Sequence, residues 1–306
     1  MNDETPAAPF SPTAAPLGDQ AEQVRRGWLI LPKPTPPTGW LVYSEAFVLR
    51  VLQGKYGRPE DVIVTPGWRA AAGVVRGLMA VAQALLMGLS LIPVLSWGME
   101  GMAYGFRRGS VGFFLRACYW KARLRRLGQD TLIDRGVDIW GPGGVEIGSC
   151  VHLDTHARLI AGEAGQGQHG RIVIGDYTHI GPRTNIAGRG GVTIGDCVSV
   201  QGLVHIYSAT TTALHPQHPG QLVSLSHMPP PDMQNIAEGP VTIGDYASVG
   251  FASLILPGTT IGLGAIVHPY SQVSGHFEPF ANVVGPGRAR QNGWRRAPRR
   301  DPRLDG

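Results

Sequence analysis

Three histidines, His215, His218 and His227, fall in one proline-rich stretch that also holds Pro216, Pro219 and Pro229 to Pro231. Imidazole is the side chain best suited to taking a proton from an attacking group near neutral pH. Their clustering in an irregular segment predicts general-base chemistry there. Asp232, in the same stretch, is a carboxylate that could orient such a base or bind a substrate. The three cysteines, Cys118, Cys150 and Cys197, form no CxxC pair, which excludes a zinc ribbon or a dithiol site. An odd, sparse count fits a reducing cytosol.

These residues need something to hold them, and the flanking sequence supplies it. Aliphatic residues recur every six positions: Ile243, Val249, Ile255, Ile261, Val267, Val273 in the last part of the chain. Earlier runs are Leu127, Ile133, Ile139, then Ile147, Leu153, Leu159, then Ile174, Ile180, Ile186, then Ile194, Val200, Ile206. Glycine often follows the aliphatic, as in Ile147-Gly148 and Ile243-Gly244. The pattern predicts a solenoid of about six coils, starting near 127, 147, 174, 194, 243 and 261, with three short strands per coil. One aliphatic per side points inward, and glycine relieves crowding at the turns. Residues 207–242 are the single long interruption, and a loop of that length in a compact repeat is more often functional than idle.

The register places the remaining candidates. His152 and His179 fall in one outward column on adjacent coils, and His205 on a different face. Zinc chemistry needs three converging imidazoles, so no metal is expected. Cys150 and Cys197 take the same position two coils apart, about 9–10 Å by the ordinary strand spacing, too far for a disulfide.

Composition bounds the rest. Apolar residues make up 43% and charged residues 16% of 306, with 43 Gly and 25 Pro, which argues for a turn-rich β protein over a helical bundle. Residues 1–22, rich in Pro and Ala, read as a disordered tail without a secretory signal. Residues 77–99 carry no charge, enough to enter a bilayer, though Pro93 favours a kink or re-entrant hairpin over a straight span. Residues 107–126 follow with seven basic residues and no acid, and 112–126 read as a basic amphipathic helix at a membrane surface. A second helix is expected near 43–54. Basic residues confined to two segments, the other being the tail 288–306, do not resemble a nucleic-acid-binding face. The expected organisation is therefore a helical, membrane-seeking region over 23–126, a mainly β solenoid over 127–287, and a basic tail.

The segment VTIGDYASVGFASLILPGTTIGLGAIV, 241–267, most specifically resembles the hexapeptide-repeat acyltransferases, whose fold is a left-handed parallel β-helix. The resemblance spans about 120–290. The lead-in RRGSVGFFLRACYWKARLRRLGQDTLIDRGVDIWGP resembles sugar-modifying members that act on bacterial surface polysaccharides. It implies acetyl-CoA as donor, a homotrimer with sites between adjacent prisms, and a sugar hydroxyl or amine, or a lipid-linked glycan, as acceptor. Together with the uncharged segment 77–99 ahead of the solenoid, it points to work at the cytoplasmic face of the inner membrane. The run IYSATTTALHPQHPGQ places Tyr207 and Ser208 against the acceptor and resembles a subset of amino-sugar transferases, which leaves O- and N-acetylation both open. The base is expected among His215, His227 and His218. On the donor side the resemblance implies Phe251, Ala252 and Ser253 along the pantetheine arm. Ser271 and Gly285 match the family's closing pattern, and Arg288 and Arg290 stand where the family has lysines, able to bind the phosphates of coenzyme A. A non-catalytic scaffold is the reading of another class.

Overall fold

The structure is a computed structural model, and it describes residues 32–55, 61–106, 109–162, 170–213, 222–226, 228–285 and 290–294. From Arg126 onward the chain winds as a three-faced prism. The first face carries seven parallel strands, among them Val145–Ile147, Val192–Ile194 and Val241–Ile243. The second runs from Leu132–Ile133 to Ala281–Val284, and the third from Asp138–Trp140 to Gln272–Val273. Stacking is in register: Ile147 pairs with Ile174, Ile194 with Ile243, and Ile243 with Ile261. Alternation along each short strand sends these aliphatics inward, where they are fully or almost fully buried. Each contributes about 1.5–3 kcal/mol of burial.

Six complete coils are followed by a partial seventh, His276–Phe277 and Ala281–Val284, on the first two faces. Phe277 comes four residues after Val273 rather than six, so the repeat does not reveal it. Strand Arg290–Trp294 then pairs antiparallel with Ala281–Val284 and covers the end of the second face. Such cover blunts an edge that would otherwise recruit another chain.

The glycines after the aliphatics answer to stacking, not to backbone freedom. A Cβ on Gly148 would stand 2.7 Å from the Gly175 carbonyl carbon, and one on Gly244 2.7 Å from the Leu263 nitrogen. The left-handed corner conformation itself is taken mostly by other residues, including Cys150, Tyr177, Cys197 and Tyr246 at the first corner. All three cysteines are free.

Among the described residues four helices precede the prism: α1 Glu45–Leu52, α2 Pro66–Ser90, α3 Pro93–Gly105 and α4 Ser110–Lys121. Thr65 caps α2, whose first position, N1, is held by Pro66 with its pre-set φ. Its helical run ends at Leu91–Ile92, and Pro93 opens α3, so the uncharged stretch 77–99 is two helices with a break. α2 is long and apolar enough to cross a membrane by length and composition, and only 11% of its most apolar stretch is buried. One stripe, Val75, Met79, Leu86 and Met87, packs on α1 and α4; the opposite stripe, Val74, Leu78, Val81 and Leu85, is exposed. Gln83, buried in the inner stripe, accepts from Val42 N at 2.9 Å and donates to Trp40 O at 2.9 Å.

The basic cluster behaves differently from the expectation of a membrane-surface helix. α4 buries Arg116, Ala117, Cys118, Tyr119 and Trp120 against the first coil and the other helices. Arg116 Nε donates to Ile133 O at 2.6 Å, Lys121 Nζ to Leu127 O at 3.1 Å, and Arg123 to Ser90 O at 2.6 Å. Arg125 ion-pairs with Glu146 at 3.1 Å. These charges satisfy carbonyls and a carboxylate of the fold, so α4 caps the solenoid. The tail 1–22 and the chain beyond 294 lie outside the described residues.

Candidate active site

The long segment leaves the prism after Tyr207 on the fourth coil and returns at Val241 on the fifth. It does not wander at its base. Ala209–Thr211 pairs antiparallel with Ile236–Glu238, forming a two-stranded arm. Thr212 N donates to Asn235 O at 2.9 Å, Asn235 Nδ2 to Thr212 Oγ1 at 2.9 Å, and Arg189 ion-pairs with Glu238 at 2.7 Å. Gly239 N donates to Ser208 O at 2.9 Å and closes the root. The segment therefore projects from one corner as a braced arm and could be inserted without breaking coil register.

Ser208 is fully buried in that root. Its hydroxyl donates to Ala187 O at 2.8 Å and accepts from Gly190 N at 2.9 Å, so in this structure it fastens the strand exit. Tyr207 faces outward, with its hydroxyl 3.3 Å from Asn185 Nδ2 and 3.4 Å from His205 Nδ1. Asp232 lies exposed in the turn Pro231–Met233, just before the arm's return strand. His215, His218 and His227 lie outside the described residues. His205 and Asn185, not among the site residues expected from the chain, join Tyr207 here; their shared outward column on the third face was the available signal.

On the fifth and sixth coils the donor-side candidates separate into two kinds. Phe251 is exposed at a corner beside half-buried Ala252, and its ring meets Tyr270 edge-to-face at 5.8 Å. Ser253 and Ser271 are buried: Ser253 Oγ donates to His268 O at 3.0 Å and accepts from Ser271 N at 3.3 Å. They stitch coil to coil. Gly285 follows the second-face strand Ala281–Val284, and Arg290 pairs through its backbone with Val284. Arg288 lies outside the described residues.

A second cluster sits on the second face of the first three coils. His152 and His179 stack at 5.2 Å, with Asp134 3.9 Å from His152 and Asp154 3.8 Å from His179. Burial works against the Asp154 carboxylate, but hydrogen bonds from Thr155 and the two imidazoles hold its carboxyl below the usual range. Ligand atoms of Asp134, His152 and Asp154 lie within 4.8 Å of one another, a spacing that could hold a cation.

No family model matches the chain. Among characterised proteins it is 30% identical over 162 residues to a dTDP-4-amino-4,6-dideoxy-D-glucose acyltransferase of Escherichia coli, covering 53% of this chain and 78% of that one. The chain belongs to the hexapeptide-repeat sugar acyltransferases. A solved variant of AntD, an N-acyltransferase from Bacillus cereus, shares the fold: TM-score 0.50 at 23% identity, over 58% of this chain and 87% of that one. That structure holds dTDP-4-amino-4,6-dideoxyglucose and coenzyme A. The family identity fits a prism that carries a braced arm between its fourth and fifth coils.

Proposed function

We propose that this hexapeptide-repeat acyltransferase moves the acetyl group of acetyl-CoA to the amine of a nucleotide-linked amino sugar destined for a surface polysaccharide. The observation that carries this reading is the 30% identity over 162 residues to an acyltransferase of a dTDP-amino sugar. It favours the amine over the hydroxyl that the resemblance left open. The neutral amine attacks the thioester carbonyl carbon; a C–N bond forms, the C–S bond breaks, and coenzyme A leaves as the thiol. The amine's surplus proton passes to a base, for which His215, His218 and His227 of the arm remain the candidates, and from that base to the departing sulfur. Backbone N–H groups, abundant on a coiled solenoid, are the available donors for the oxyanion. The corner of Phe251 and Ala252 suits the thioester arm, and Arg288 and Arg290 suit its phosphates.

A homotrimer with sites between prisms belongs to the same proposal. So does attachment to the cytoplasmic face of the inner membrane, supported by the exposed apolar stripe of α2 and by Trp97 of α3, 79% exposed. Gln83 ties the other face of α2 to Trp40 and Val42, which favours a helix lying in the interface over one crossing the bilayer. The test is release of the coenzyme A thiol with dTDP-4-amino-4,6-dideoxyglucose and with the matching 4-hydroxy sugar. Turnover with the amine alone is expected. Turnover with the hydroxyl sugar alone, or with neither while a lipid-linked glycan is acetylated, would overturn the acceptor assigned here.

A further inference from the structure

The third face carries an outward stripe unlike the other two. Asp138 is in register with Arg158, Arg158 with Asn185, and Asn185 with His205, across the first four coils. At one end, Trp140 is 55% exposed and its indole N–H donates to the Asp138 carboxylate at 2.9 Å. The Arg158 guanidinium lies 4.7 Å from the centre of the Trp140 ring, with Nε 3.3 Å from Asp138. At the other end, His205 and Tyr207 stack at 6.0 Å and 21°, and Asn185 donates to the Tyr207 hydroxyl. Asn185 Oδ1 is buried and has no hydrogen-bond partner among the described residues. Over the same four coils the equivalent outward column is Arg126, Glu146, Val173 and Thr193 on the first face and Leu132, His152, His179 and Ser199 on the second, neither with an indole beside a guanidinium.

A half-exposed aromatic plate beside a pre-set guanidinium matches two needs of a nucleotide. Bases stack on aromatic rings, and guanidinium forks onto phosphate oxygens. The Trp140–Arg158 end stands two to three coil rungs from Tyr207, about 10–14 Å at the ordinary strand spacing. That is the order of the reach of a nucleoside diphosphate from base to sugar, and Tyr207 is the last residue before the arm.

We propose that this stripe is the acceptor's nucleotide subsite: the base stacks on Trp140, Arg158 turns from Asp138 to the diphosphate, and Asn185, His205 and Tyr207 flank the sugar at the arm. The inference rests on the acceptor reading above and adds which residues hold it. The test is calorimetric titration of dTDP into the full chain and into Trp140→Ala and Arg158→Ala, with acetyl-CoA titrated in parallel. Each variant is expected to weaken dTDP at least tenfold and leave acetyl-CoA binding unchanged. Trp140→Phe, which keeps the plate, is expected to retain most of the affinity and guards against a folding defect. Equal dTDP affinity for the wild type and both alanine variants would overturn the subsite and leave the acceptor reading standing. No dTDP binding at millimolar concentration, in wild-type protein that binds acetyl-CoA, would overturn both.

Discussion

Lys33 bridges two aspartates on successive coils, with Nζ 2.6 Å from Asp196 and 2.5 Å from Asp245. Both carboxylates already cap backbone N–H groups: Asp196 accepts from Asp176 N and Asp245 from Asp196 N. The lysine thus fastens a strap that runs down the first corner, where Tyr177 donates to Thr35 O, Ser149 to Pro37 O and Gln129 to Leu41 O. Burial opposes the ammonium, yet the two carboxylates outweigh it and raise its pKa above the ordinary lysine value. A raised pKa means that its stabilisation is complete below the unfolded value, near 10.4, and fades only as pH climbs through the folded one. Lys33→Ala should cost about 1–2 kcal/mol. Melting scans should show the same deficit from pH 7 to 9, and a deficit that varies across that window would count against the bridge. Ile180→Ala, which removes a fully buried side chain from the prism, should cost about 2–5 kcal/mol. Gly244→Ala should cost about 1–3 kcal/mol by pushing coils apart, though the position is not a core side chain. Equilibrium denaturation of the two variants checks both values.

At the level of elements, the exposed stripe of α2 makes a separable statement. Changing Leu78, Val81 and Leu85 together to Gln removes apolar surface without touching Gln83 or the packed stripe. Flotation with anionic vesicles should then leave the variant in the soluble fraction while the wild type floats; equal flotation of both would remove α2 as the anchor. The elements also show what was legible in the chain. A six-residue aliphatic period is a strong signal because every coil repeats the same inward position, so the solenoid could be read to within one coil. The seventh coil escaped because its step from Val273 to Phe277 is shortened. α4 read as amphipathic and basic, but charge counts do not say whether Arg116 faces phosphate or a carbonyl, and its partner Ile133 O is supplied by tertiary packing. The strap was invisible for the same reason: Lys33 and its partners lie far apart in the chain and share no period. Tyr207 could be placed outward, whereas the burial of Ser208, Ser253 and Ser271 depends on how corners close.

For the whole molecule, light scattering in detergent should give three times the 32.7 kDa chain mass if the trimer forms; the mass of a single chain would require the site to be complete within one prism. The arm allows a cleaner dissection. Val192–Ile194 pairs with Val241–Ile243 directly across it, so the prism is continuous without it. Replacing 209–238 by a short glycine linker should leave acetyl-CoA binding and the melting transition in place and abolish transfer.

That continuity bears on descent. Both ends of the arm meet at one corner, stitched by Gly239 N to Ser208 O, so its length is decoupled from the rungs on either side. Insertions and recombination there cost the scaffold little. The arm could therefore be lengthened, shortened or exchanged while the coils keep the shape that lets the chain fold.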